Sequence, residues 1–288
     1  MKKIFGLLIS LLFLTGCEFN FNSEVFKAET IRTSVYPIEY ITDYLYGFDA
    51  SVMSIYPDGA DYTKYDLTDK LIENYSNADL LIYNGQSSEN KIAVKFLNNN
   101  ETIGIIDAMQ GMTYKYAVEE LWLDPSNFLM TASNIKNGLL NVSPNKTTSE
   151  KIVENYEELK VEVSKLDVEL NTLTSDSNYK TIVASNDLFK YLTKYGVDVI
   201  VLNESNQYLT QAYKDVKDMA KKGDIKYLYV IKGEELSSKL SKFIKDNDIK
   251  KIEIDPLRII SEESRNNKED YITIMTETIT NYKKELNK

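Results

Sequence analysis

Glu119 and Glu120 stand side by side just ahead of Trp122, the only tryptophan in the chain, and Asp124-Pro125 follows directly. Adjacent carboxylates can hold a hard cation or share acid–base work. The 288 residues include no histidine and one cysteine, Cys17. Imidazole, the commonest general base and the usual nitrogen ligand of zinc, is therefore absent. Cys17 ends the segment "LTGC" (14–17), which follows Lys2, Lys3 and the apolar run "IFGLLISLLFL". A basic start, a short apolar stretch and small residues ahead of a cysteine form the bacterial lipoprotein cleavage pattern, and the run is too short for a comfortable membrane span. Cys17 is expected to carry lipid, and as the lone cysteine it closes no intrachain disulfide. One acyl chain anchors only marginally, so stable tethering calls for more than one on Cys17. There is no nucleophile elbow, and "NGQSS" (84–88) lacks the second glycine and the lysine of a phosphate loop. Nothing points to paired glycosidase carboxylates either. The reading is of a protein that is not an enzyme.

The chain carries 34 basic and 44 acidic side chains, a net charge of −10, and loss of Lys2 and Lys3 with the leader takes this to −12. Such a surface repels nucleic acid and anionic head groups beyond the anchor. The length after cleavage suits two domains.

Elements alternate along the chain. "TIRTSVY" (30–36), "SVMSIY" (51–56), "DLLIYNG" (79–85) and "TIGIID" (102–107) read as strands, with helices over 38–47, 65–78 and 88–99 between them. From 124 to 174 there is no strand signal. Asp124-Pro125 suits a helix start, as N-cap and first helical residue. That helix runs to about 142 and breaks at "SPN" (143–145). A second spans 147–174, with Ile152, Tyr156, Leu159, Val163, Leu166, Leu170 and Leu173 spaced 4, 3, 4, 3, 4, 3. Such a stripe marks a coiled-coil seam or a long helix packed along its own protein; at this length it would reach roughly 42 Å. The alternation then resumes, with strands at 180–185, 198–202, 225–231 and 249–255 and helices at 187–195, 209–222, 234–246 and 269–286. The expected fold is α/β: two lobes, each a mainly parallel sheet flanked by helices, joined by one long helix. The expected divisions are a signal peptide (1–16), a lipidated tether (17–29), an N-terminal lobe (30–145), the linking helix (146–175) and a C-terminal lobe (176–288). A small ligand belongs at the C-terminal strand ends, in the cleft between lobes.

The segments "TSVYP", "DGADYTKYDLTDKLIENYSNADLLIYNG", "LWLDPSN", "FKYLTKYG", "IDPL" and "EDYITIMTETITNYKKEL" occur in this order across about residues 30–286. Together they resemble the solute-binding lipoproteins of zinc and manganese ABC importers; "ADLLIYNG" and "LWLDP" are the most specific pieces. The resemblance implies a metal between two lobes bridged by one helix, and an ABC permease and its ATPase as partners. It implies a monomeric, extracytoplasmic protein, lipid-anchored to the cell membrane. The family's metal ligands are largely histidines. Ala60 falls where the first belongs, before Asp61 and Tyr62, in a segment that looks shortened. Glu120 replaces the second, two residues before Trp122. Asn186 takes the third place, and Asp255 matches the family's carboxylate near the end of the last strand. Asp58 or Asp61 could add a further carboxylate if their loop turns inward.

Two carboxylates and an amide oxygen are hard ligands, suited to manganese, magnesium or calcium rather than zinc. The expectation is a receptor for a divalent cation, Mn-like in preference, bound through oxygen. Each candidate also has a plain structural role. Glu120 could be a solvated surface residue, Asp255 a turn cap, Asn186 a helix N-cap, and Asp58 and Asp61 turn formers. Trp122 is expected as a packing anchor, while Tyr36, Tyr56, Tyr62 and Tyr83 could line a cleft for a non-metal solute. The alternative is a scaffold with a decayed metal site, re-tasked as an adhesin-like surface lipoprotein or as receptor for such a solute. Residues 147–174 hold no proline or glycine, so small lobe movements are expected.

Overall fold

Branched and aromatic residues pack well on a pleated surface, and the short runs that hold them form eight strands among the described residues. The structure, a computed structural model, describes residues 27–287 apart from 63, 144, 176, 178 and 204–206. The expected signal peptide and Cys17 lie outside the described residues. No described helix is long and apolar enough to cross a membrane.

The N-terminal sheet holds β1 (Thr30–Thr33), β2 (Ser51–Ser54), β3 (Leu80–Tyr83) and β4 (Gly104–Asp107), in the order β2-β1-β3-β4. All its pairings are parallel, with Ile31 level with Val52 on one side and Leu80 on the other. Helices α1 (Tyr36–Tyr46), α2 (Asp69–Tyr75) and α3 (Asn90–Asn99) make the crossovers. The C-terminal sheet repeats the plan with β5 (Thr181–Ala184), β6 (Asp198–Val201), β7 (Tyr227–Ile231) and β8 (Lys250–Ile254), in the order β6-β5-β7-β8 and again parallel. Chain direction across each sheet reverses once, between β1 and β3 and between β5 and β7. Loops diverge at such switch points and leave a crevice at the C-terminal strand ends.

Between the sheets run α4 (Glu120–Leu123), α5 (Pro125–Asn141) and α6 (Lys146–Asn171). Asp124 caps α5, accepting from the Ser126 N–H at 2.9 Å, with Pro125 at the first turn as expected. Gly138 lets α5 approach β4: a Cβ there would sit 2.6 Å from Ile106 Cδ1. Helix α6 has 26 residues and is about 39 Å long. It packs on α1 and α5 of one lobe and on α10 (Tyr271–Leu286) of the other. Ile152, Leu159, Val163, Leu166 and Leu170 form its buried seam. Asn155 also lies in the seam, donating to the carbonyls of Tyr44 and Leu45 at 3.2 and 3.3 Å. Tyr156 sits at the flank, with the Lys136 ammonium 4.4 Å from its ring centroid. The remaining helices are α7 (Leu209–Lys222), α8 (Ser238–Asp246) and α9 (Glu262–Asn266).

Some expected elements change shape. The helix read over 65–78 is only Asp69–Tyr75, because Thr68 caps it through the Leu71 N–H. The segment 187–195 is a tighter 3-10 helix, Asp187–Tyr195, ended by Gly196 at φ +76°. The helix read from 234 begins at Ser238, capped by Ser237. One hydrophobic cluster runs through both lobes, joining Ile31, Leu80 and Ile82 of the first sheet, the α6 seam, and Ile182 and Tyr229 of the second. Smaller clusters back each sheet on its outer side.

Candidate functional site

The two sheets point their C-terminal ends at a shared cavity of about 680 Å³. Its walls are the loop after β2, the residues after β5 and β7, and the segment that leaves β8. Asp61, Asn186 and Asp255 line it, as does Ala60. Glu120 and Asp58 are not in its lining.

Each candidate has a definite local partner. Glu120 is 8% exposed, so it is not the solvated surface residue that its position beside Glu119 permits. Its carboxylate turns back onto its own approach loop, accepting from the N–H groups of Lys115 at 3.2 Å, Ala117 at 2.7 Å and Tyr116. Asp58 takes a two-pronged contact from Arg265, both prongs at 2.9 Å. Asn186 caps the 3-10 helix, accepting from the Leu188 N–H at 2.9 Å. Asp255 accepts from the Leu257 N–H at 2.9 Å and faces Lys232 Nζ at 3.4 Å. Asp61 pairs with Lys64 at 2.9 Å, and that neighbour holds the Lys64 ammonium above its ordinary pKa. Among the described residues, no three Asp, Glu or Cys side chains stand close enough to hold a metal ion.

Trp122 is the packing anchor expected of it, and the structure adds that it joins the two lobes. It is 1% exposed; its indole N–H donates to the Pro256 carbonyl at 2.8 Å, and its own carbonyl accepts from the Tyr271 hydroxyl at 2.6 Å. The neighbouring Glu119 is buried and pairs with the Nε–H of Arg258, which lines the cavity. Together "EELW" ties one lobe to the other: Glu119 and Trp122 reach across, while Glu120 fixes the loop behind them.

Other cavity residues carried no signal of their own. Lys232 is one lysine in a lysine-rich chain, and Glu234 one glutamate among many. Glu234 accepts from the Ser185 hydroxyl at 2.5 Å and the Ile231 N–H at 3.0 Å, across a turn that Gly233 makes at φ +80°. Arg258 had a signal that could have been used. The chain has only three arginines after the leader, Arg32, Arg258 and Arg265, and two of them follow "IDPL" within eight residues. Behind the β2 loop, Glu89 is 1% exposed. It accepts from the Asn84 N–H at 3.0 Å and the Tyr62 hydroxyl at 3.2 Å. Burial pushes its carboxyl up to about 7, against the pull of Ser34, Asn84, Tyr62 and Tyr56. Burial likewise raises the Tyr56 and Tyr62 phenols, so both stay neutral.

Two parallel α/β lobes, joined by a continuous helix and facing each other across a cavity at their strand ends, define a bilobal solute receptor. Residues 31–285 match the sequence profile of the periplasmic component A of the zinc-uptake complex, ZnuA, and the chain belongs to that family. Members of the family are substrate-binding components of metal ABC importers, which work with a permease and an ATPase. The chain is 29% identical over 247 residues to the manganese ABC transporter substrate-binding lipoprotein PsaA of Streptococcus pneumoniae, covering 77% of this chain and 78% of that one. It is 27% identical over 227 residues to the iron ABC transporter substrate-binding lipoprotein MtsA of Streptococcus pyogenes serotype M1, covering 72% of each. In fold it is similar to the Zn(II)-bound ZnuA-like domain of Streptococcus pneumoniae AdcA, with a TM-score of 0.73 at 20% identity over 91% of this chain and 100% of that one.

Proposed function

We propose that this protein is the extracytoplasmic solute-binding lipoprotein of an ABC importer, and that its cleft takes a small polar organic solute rather than a bare divalent cation. It is held at the membrane by lipid on Cys17 and delivers its cargo to a permease driven by an ATPase. Family membership and the leader pattern support the transport role.

The observation that carries the choice of cargo is the pairing of the cleft carboxylates. Asp255 already faces an ammonium and caps a turn, and Asp61 has Lys64; Glu120, outside the lining, is turned onto three backbone N–H groups. A dication entering here would have to displace lysines and unfasten loops. The cavity of about 680 Å³ also suits a molecule of several heavy atoms. Calorimetry and thermal melting of chelator-treated protein with MnCl2 and ZnCl2 test this. The expected result is no tight binding of either metal, and a nanomolar response to one of them would overturn the choice.

One observation favours a second reading, the oxygen-ligated cation. Asp61, Asn186 and Asp255 do share one cavity. Under that reading the metal is Mn-like, because oxygen donors favour hard cations over zinc. In the same titration manganese would then bind and stabilise, with zinc weaker.

A further inference from the structure

We propose that the cleft recognises its solute through an oxyanion, a carboxylate or phosphate group, held by Arg258 with Lys232 beside it. This rests on the reading of the cavity as an organic-solute site.

The first support is the backbone ahead of Arg258. Leu257 has φ +56°, a region that a bulky residue occupies only under strain, and its side chain is fully buried. Three hydrogen bonds hold the turn in place. Leu257 N–H donates to Asp255 at 2.9 Å, the Trp122 indole to the Pro256 carbonyl at 2.8 Å, and Tyr36 N–H to the Arg258 carbonyl at 2.9 Å. Residues 255–258 are thereby fixed from both lobes, and Glu119 holds the Arg258 side chain.

The second support is the pattern of free donors. Arg258 uses its Nε–H on Glu119, which is 3% exposed, and no other hydrogen bond to its guanidinium is found among the described residues. The residue lines the cavity, with its guanidinium carbon 5.9 Å from the Tyr62 ring centroid. A guanidinium braced from behind by a buried carboxylate presents a flat fork that matches an oxyanion in two-pronged fashion. Lys232 lines the same cavity with its side chain 48% exposed and a single 3.4 Å contact to Asp255. Two of the four acids on the wall brace loops: Glu234 holds Ser185 and the Ile231 N–H, and Asp255 holds the Leu257 N–H; Asp61 pairs with Lys64, and Glu235 is exposed. Arg258 and Lys232 thus keep donors that no hydrogen bond among the described residues uses.

The test uses chelator-treated, mature protein near pH 7. Inorganic phosphate, L-glutamate and citrate are compared with glucose and putrescine by thermal melting and calorimetry. An oxyanion probe is expected to bind and raise the melting temperature, and phosphate against the two carboxylates tells which oxyanion is preferred. Lys232→Gln should weaken that binding at least about tenfold, with the unliganded melting temperature within about 2 °C of the parent. Arg258→Lys keeps the charge but loses the fork, and should weaken it further. No response to any oxyanion, or a response undiminished in both variants, overturns the inference. Binding of glucose or putrescine alone overturns it too, yet leaves the organic-solute reading standing. Tight manganese or zinc binding removes that reading itself.

Discussion

The two lobes place the same pair of side chains at their switch points and treat it in opposite ways. In the N-terminal lobe Ser34, just after β1, and Glu89, between β3 and α3, both accept from the Asn84 N–H, at 3.2 and 3.0 Å. In the C-terminal lobe Ser185, just after β5, bonds Glu234, just after β7. Glu89 is sealed under Tyr56 and Tyr62, whereas Glu234 lies on the cavity wall with Lys232 and Asp255. One wall of the cleft is thus a dry polar knot and the other an open, charged surface. Solvation decides the outcome. Taken out of water, the Glu89 carboxyl gives up its charge more readily.

Four variants break or sharpen this contrast. Trp122→Ala should have the largest effect, because the indole joins both walls; a loss of about 3–5 kcal/mol is expected in denaturant unfolding. Glu89 comes next. Its carboxyl is pushed up to about 7 in the fold, from 4.5. Between those values the fold holds a proton that the unfolded chain releases, so stability falls as pH rises through that window, by on the order of 3 kcal/mol. Unfolding curves from pH 4 to pH 8 should show the slope, and Glu89→Gln should flatten it. A slope that survives the variant would mean that the dry knot is not its source. Arg265→Ala removes the contacts to Asp58 and Glu39; with the guanidinium 41% exposed, about 1–2 kcal/mol is expected. Lys232→Gln, on the open wall, should change stability by less than about 0.5 kcal/mol. A large loss there would show that the open wall serves the fold.

Much of the framework was legible. Branched runs of four to seven residues mark the strands, and the apolar spacing from Ile152 to Leu173 marks the bridging helix. The same stripe passed over Asn155, since a buried amide that satisfies two carbonyls has no periodic signature. The site was legible in position and not in direction. Asn186 and Asp255 line the cavity, but sequence cannot say which way a glutamate turns. Glu120 sits in the first turn of a four-residue helix, where three unsatisfied N–H groups of the preceding loop lie nearer than the cleft. Arg258 escaped notice because its role depends on Glu119, 139 residues earlier.

The apolar cluster that threads both sheets and the bridging helix has a thermodynamic consequence. Halves that share one interior cannot melt separately, because opening either one strips the other of its cover. Heating should therefore give one cooperative transition, and a chain cut at the bridging helix should yield two fragments that aggregate.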